Sequence, residues 1–425
     1  MMRIFTLTAL FYFISLSAIG QDVYTGSYFK KYPLFLESEN TIHFYSDSSV
    51  FLNFMEKYQK LIINGTGKLN IVHFGGSHIQ ADIYSHVMRN HLQNFDYGMN
   101  GGRGFIFPFS NARTNNPANY KVSYTGQWES CRNVEARKSC NLGVSGITLL
   151  THDTLATTTI IPNTDSQIYY DFNRVRIFHN QGKESFSIFP ETRVPYTTIK
   201  DSLHGITTFI FDEFLDTITF SFRCKDTLMR DFEWYGLTLE NDDPGVVYHS
   251  FGVNGASFPS FLRCNLFVPQ LQALKPDLAI VSIGTNDAYT RYFNPAEYAQ
   301  NYRAFIENLQ AANPDIAILL TVPNDSYLYR RYANRNTKLM EEVIIELAKE
   351  YGYGVWDFYA LMGGFGSSRV WESAGLMQHD KIHFTREGYI LKGNLFFQAF
   401  LDFYNNYTDT RNISILLNEI IIGNP

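Results

Sequence analysis

The chain has 425 residues, 45% of them apolar and 18% charged, which excludes a disordered polymer and allows large buried cores. Its length predicts two or three domains. A formal net charge of −6 argues against nucleic acid or an anionic membrane surface as the main partner, since both reward clustered Lys and Arg.

The N-terminus has the pattern of an export signal. Arg3 supplies a positive end, residues 4–16 are apolar, and Ser17-Ala18-Ile19-Gly20 gives small residues at the spacing of a cleavage site. Cleavage is expected before Gln21. The apolar run is shorter than the roughly 20 residues of a spanning helix. No cysteine follows it to carry a lipid. The expectation is an exported protein, periplasmic or extracellular, with residues 1–20 removed and no integral membrane segment. Residues 21–66 give no clear assignment.

Five apolar runs have the character of buried parallel strands: 69–74, 246–251, 278–283, 316–322 and 354–358. Helical patterns at 81–93, 258–273, 295–312, 336–351 and 386–404 alternate with them. Such alternation predicts βαβ units with right-handed crossovers, an α/β sheet with helices on both faces. Residues 121–240 break the alternation. Short β-prone runs at 168–172, 186–189, 208–211 and 217–222 are separated by polar turns, the pattern of an antiparallel β-sandwich. The predicted organisation is an α/β domain, residues 67–120 and 241–410, with an inserted all-β domain at 121–240. Residues 411–425 form a C-terminal tail. Four cysteines, Cys131, Cys140, Cys224 and Cys264, favour a disulfide in an exported chain. Cys131 and Cys140 are close enough in sequence to close a small loop, and the pairing stays open.

Three segments carry chemistry. In Gly75-Gly76-Ser77, a strand ends in two glycines and a serine opens a helical stretch. That turn lifts a hydroxyl to the carboxyl edge of the sheet, where open α/β folds place ligands. Helix-start N–H groups there point toward developing negative charge. Gly284-Thr285-Asn286-Asp287 ends another strand, and Asp380-Lys381-Ile382-His383 lies near the C-terminus. Hydroxyl, amide, imidazole and carboxylate together are the parts needed for acyl transfer. No His-x-x-x-His pair or other ligand set suggests a metal, and no cofactor is expected. The glycine-rich run around Arg103 reads as a flexible rim loop, and His78 as a residue lining the pocket.

The order of these blocks resembles the SGNH (GDSL-type) hydrolases over roughly residues 67–110 and 245–405. The resemblance implies a flavodoxin-like three-layer α/β/α fold, with Ser77 as nucleophile, His383 as base and Asp380 orienting the imidazole. It implies an oxyanion hole of the Ser77 N–H, the Gly255 N–H and the Asn286 side-chain amide. Gly255 is preferred to Gly252 because it immediately precedes the next helical stretch. Asp287 is expected to brace its loop. The sequence departs from the family where Gly-Asp-Ser is usual and Gly75-Gly76-Ser77 stands. The Ser-His-Ile-Gln-Ala-Asp wording and the β insert look most like the bacterial peptidoglycan O-acetylesterase branch. There the insert resembles a carbohydrate-binding module. Trp128, Trp234 and Tyr235 are candidate sugar platforms, though core packing is the simpler role for each.

The resulting expectation is a serine esterase that removes O-acetyl groups from a polysaccharide, peptidoglycan in the first instance. Its partner is an O-acetylated glycan and not nucleic acid. Three alternatives stay open, one of them an acetyltransferase that passes the acyl group to a sugar hydroxyl. A lipase or general acyl esterase of the same mechanism would show activity rising with acyl length. A non-catalytic glycan-binding protein would bind without turnover. Oligomeric state is not legible.

Overall fold

The computed structural model describes residues 31–422 except 33, 97, 165–167, 181–185 and 226–230, with side chains described as far as residue 411. The export signature at 1–20 lies outside the described residues. A six-stranded sheet organises the α/β part. Its strands are β1 (Ile42–Phe44), β2 (Lys68–Gly75), β3 (Gly245–Gly252), β4 (Leu278–Ser282), β5 (Ala317–Val322) and β6 (Gly354–Asp357), in the order β1-β6-β5-β4-β2-β3. All pairings are parallel except the edge pair β1–β6.

The helices are α1 (Ser49–Asn64), α2 (Ser77–Gln80), α3 (Tyr84–Gln93), α4 (Phe258–Leu262), α5 (Phe267–Leu274), α6 (Pro295–Ala312), α7 (Asn336–Tyr351), α8 (Phe358–Leu361), α9 (Ser367–Ser373) and α10 (Arg386–Ile422). Strand alternation sends neighbouring side chains to opposite layers. Leu69 and Ile71 of β2 pack with α1, α3 and α10, while Val72 and Phe74 pack with α4 to α7. This is the three-layer α/β/α arrangement. No helix among the described residues is long and apolar enough to cross a membrane.

Two antiparallel sheets lie between β2 and β3 in the chain. The larger runs Tyr196–Asp201, Ile206–Leu215, Phe172–His179, Phe232–Glu240, Ile147–Thr151, Glu129–Arg132, with Gly104–Ile106 also pairing to Phe232–Glu240. The smaller runs Lys121–Thr125, Leu155–Ile161, Ile218–Cys224, Phe186–Pro190. Facing aromatic rings join them: Phe209 with Phe220 at 5.6 Å, and Phe222 with Trp234 at 4.9 Å. Phe105 packs, tilted, between Phe178 of this sandwich and Phe251 of β3, so one apolar core runs from the sandwich into the α/β layer. Cys131 and Cys140 form a disulfide. The run at 168–172 is not a strand until Phe172; Ile168 and Tyr170 are instead buried in irregular chain ahead of it.

The helical pattern at 81–93 is broken. Asp82 adopts φ 44° and separates α2 from α3. Its buried carboxylate accepts hydrogen bonds from Arg89 Nη2 (3.1 Å), Arg103 Nη2 (2.7 Å), Asn119 Nδ2 (2.9 Å) and Ser250 Oγ (2.9 Å). Burial alone would raise this carboxyl group. The two guanidinium groups outweigh it and hold Asp82 far below the usual carboxylate range. The cluster ties α2, α3, β3 and the glycine-rich loop together directly behind Ser77. That loop is therefore not a flexible rim. Arg103 is buried, and a Cβ at Gly104 would come 2.6 Å from the Tyr248 carbonyl oxygen.

On α10, Lys392 is buried with its ammonium 4.4 Å from the Phe358 ring centre and 4.8 Å from that of Tyr84. It makes no ion pair among the described residues. Burial pushes its pKa down to about 7.

Two outcomes follow from these buried charges. Asp82→Asn leaves two guanidinium groups without their shared counter-charge and is expected to cost about 3–5 kcal/mol in denaturant titrations. Lys392→Met is expected to melt above the native protein. A lysine whose folded pKa is depressed loses stability as pH falls from about 10 toward about 7, because only the unfolded chain takes up the proton. The Tm gap should widen across that window and stay constant below it.

Candidate active site

β2 ends at Gly75, and Ser77 opens α2 after one turn residue. A Cβ at Gly75 would meet Ile79 Cγ1 at 2.3 Å, so only glycine lets the chain fold this closely into the helix. As the first residue of α2, Ser77 has a backbone N–H with no acceptor in its own helix. Its Oγ lies 2.8 Å from His383 Nε2, across 306 residues of sequence. His383 Nδ1 lies 2.7 Å from Asp380 Oδ2. The other oxygen of Asp380 accepts the N–H groups of Ile382 (2.9 Å) and His383 (3.0 Å). Lys381, at φ 56°, lets the chain double back between acid and imidazole. Burial would raise the Asp380 carboxyl. The hydrogen bonds from the His383 ring and from the two N–H groups outweigh it and hold it below its ordinary value.

β3 and β4 flank β2 in matched register, Gly252 and Ser282 both opposite Gly75, so their loops leave the sheet beside Ser77. Gly255 sits at φ 84°, a left-handed conformation that favours glycine. Its neighbours bond inward, Asn254 N to Gln80 Oε1 (2.7 Å) and Ala256 N to Val253 O (2.9 Å). The Gly255 N–H makes no hydrogen bond among the described residues. Asn286 Nδ2 donates to Ala256 O (2.9 Å), which leaves its second amide proton available. The amide lies hard against the Gly76–Ser77 turn, since a Cβ at residue 76 would sit 3.0 Å from Asn286 Nδ2. An aspartate side chain in place of Gly76 would therefore press on this amide.

Asp287 accepts the N–H of Phe258 (3.2 Å), the first residue of α4, and so fastens the Asn286 loop to the Gly255 turn. Burial pushes its carboxyl up to about 7. Gly252 serves close packing, because a Cβ there would meet Gln80 N at 2.1 Å.

All five residues singled out from the sequence, Ser77, Gly255, Asn286, Asp380 and His383, thus meet at one sheet edge. His78 does not line a pocket. It is buried behind His383, ring centres 5.3 Å apart, with Nδ1 2.9 Å from Tyr389 Oη. Burial, then Lys392 and His383, push it well below its ordinary pKa. Trp128, Trp234 and Tyr235 are core residues, 4%, 0% and 1% exposed, and offer no sugar platform. Sequence reasoning missed Gln80. Besides accepting from Asn254, its amide donates to Thr114 Oγ1 (3.2 Å) and Asn115 O (3.1 Å). No local pattern signals it, because its partners lie 34 to 174 residues away.

A hydroxyl bonded to an imidazole that is itself held by a carboxylate is equipped to attack an acyl carbon. Residues 218–391, which include Gly255, Asn286, Asp380 and His383 but not Ser77, match the model of the GDSL-like lipase/acylhydrolase family. A solved structure of a peptidoglycan O-acetylesterase superposes with a TM-score of 0.67 at 19% identity, covering 86% of this chain and 99% of that one. A lipase/acylhydrolase from Enterococcus faecalis shares 22% identity over 36% of this chain and 74% of its own, with a TM-score of 0.28. An acetylxylan esterase from Geobacillus stearothermophilus shares 18% identity over 36% of this chain and 72% of its own, with a TM-score of 0.29. No curated protein sequence matches the chain. Residues 218–391 thus resemble the GDSL-like lipase/acylhydrolase family, and the chain as a whole shares the fold of a peptidoglycan O-acetylesterase.

Proposed function

We propose that the protein is exported and removes O-acetyl groups from a polysaccharide, peptidoglycan in the first instance. The observation that carries this reading is the hydrogen-bonded line Ser77–His383–Asp380, drawn from two distant segments to one sheet edge. His383 Nε2 takes the Ser77 proton as Oγ attacks the acetyl carbonyl. Asp380 holds the imidazole in orientation and offsets its positive charge. The oxyanion is received by the N–H groups of Ser77 and Gly255 and by Asn286 Nδ2. His383 returns the proton to the departing sugar hydroxyl, leaving an acetyl-serine. A water, deprotonated by His383, then releases acetate and restores Ser77. Every proton is handled by His383.

The choice of glycan is supported by the fold shared with a peptidoglycan O-acetylesterase over nearly its full length. Export rests on the pattern at residues 1–20, which would carry the mature chain to the periplasm or beyond.

Release of acetate from O-acetylated peptidoglycan, and hydrolysis of 4-nitrophenyl acetate, test the reading. Ser77→Ala should lower kcat by about 10⁴-fold or more while far-UV and near-UV spectra stay native. Full activity in that variant would refute the site. Asn286→Ala should lower kcat by about 100-fold with little change in KM, because the donor acts on the transition state.

A further inference from the structure

A short hairpin with a three-residue loop, Tyr329 to Arg331, stands beside the site. Tyr327–Leu328 pairs antiparallel with Tyr332–Ala333. The turn residues Tyr329 and Arg330 have φ 53° and 61°. Such positions ordinarily take Gly or Asn, because side chains resist left-handed backbone. Two large side chains there hold a strained backbone at an exposed position.

The hairpin is fixed to both loops of the candidate site. On the His383 side, Tyr327 N donates to Lys381 O (3.2 Å) and Asn324 Nδ2 to Ile382 O (3.2 Å). On the Asn286 side, Tyr329 N donates to Tyr289 Oη (2.9 Å), and Tyr289 N donates to Asn286 O (3.2 Å). Asn334 Nδ2 donates to Ala288 O (3.1 Å). The hairpin and the segment after Asn286 therefore form a continuous rim.

The rim is dense in exposed tyrosine and arginine. Tyr292 is 90% exposed, Tyr329 52% and Tyr332 55%. Arg291 lies 5.5 Å from the Tyr329 ring centre, and Arg331 5.4 Å from that of Tyr332. Residues 288–296 and 326–338 contain Arg291, Arg330, Arg331 and Arg335 but no Asp or Glu, in a chain of net charge −6. None of these four arginines makes an ion pair among the described residues.

We infer that this rim is a substrate-binding surface for an acidic glycan, one that carries carboxylate groups on its sugars or attached peptides close to the O-acetyl group. This rests on the esterase reading above and adds the class of polymer. Tyrosine faces take the apolar faces of sugar rings, and unpaired guanidinium groups take carboxylates through paired N–H donors. Tyr and Arg also dominate protein–protein contacts. The attachment of this rim to both site loops favours the substrate.

The test uses Arg330→Asn/Arg331→Gln in the full-length protein, asparagine being tolerant of left-handed backbone. The readout is the ratio of kcat/KM on O-acetylated peptidoglycan to kcat/KM on 4-nitrophenyl acetate. The ratio should fall about tenfold or more, through KM, since a charged hydrogen bond accounts for about one decade in affinity. Added salt should lower the native ratio in the same direction. An unchanged ratio, or an O-acetylated neutral glucomannan processed as well as peptidoglycan, would overturn the inference. So would retention of native glycan binding by the variant together with loss of a protein partner. Binding of Ser77→Ala to peptidoglycan, with carboxylates free or methyl-esterified, gives a readout independent of turnover. Preference for free carboxylates supports the rim even if no ester is cleaved. Equal binding of the two forms contradicts it even if esters are cleaved.

Discussion

The constraint on which everything else depends is the register of three parallel strands. Gly75, Gly252 and Ser282 lie side by side across β2, β3 and β4, so three loops leave the sheet at one level. Ser77, Gly255 and Asn286 occupy those loops. A one-residue slip in any pairing would turn side chains to the opposite face and disperse the group. The register is fixed by burial on both faces, with Leu69 and Ile71 packed one way and Val72 and Phe74 the other. The fourth loop, carrying Asp380 and His383, is set by the docking of α10 on the same sheet.

Polar groups then fix what the register brings close. Gln80 grips the Gly255 turn, Asp287 fastens that turn to the Asn286 loop, and Asp380 holds His383 by side chain and backbone at once. Behind them Asp82 gathers two buried arginines and keeps α2 at its angle to α3. A pair of hydrogen bonds can align Ser77, His383 and Asp380 only because this support is itself buried and closely partnered. The absence of a side chain at residue 76 fits the same logic, since the Asn286 amide occupies the adjoining space.

Much of this was legible in the sequence where the signal is local. Long apolar runs announced the five parallel strands, the ordered Gly-x-Ser, Gly-x-Asn-Asp and Asp-x-x-His blocks pointed to Ser77, Asn286, Asp380 and His383, and the turn ahead of the next helical stretch pointed to Gly255. What escaped was non-local or weakly patterned. Asp82 breaks a helix among good helix formers because its partners come from residues 89, 103, 119 and 250. β1 is three residues long and antiparallel, too short to read. α1 did carry a helical stripe, with Phe51, Phe54, Met55, Tyr58 and Leu61 buried at spacings of three and four, and stood within the unassigned segment. The exposed rim could have been suspected from Tyr-Leu-Tyr-Arg-Arg-Tyr, a run dense in aromatics and cations with no acid beside it. Its meaning needed the hydrogen bonds that attach it to the site.

The central claim is that Ser77 is made nucleophilic by His383 and Asp380. Labelling with a fluorophosphonate, followed by peptide mapping by mass spectrometry, tests it most directly. The account predicts one adduct, on Ser77, formed quickly in the native protein and lost when His383 is replaced by alanine. An adduct on another serine, or none on a folded native protein, would contradict it.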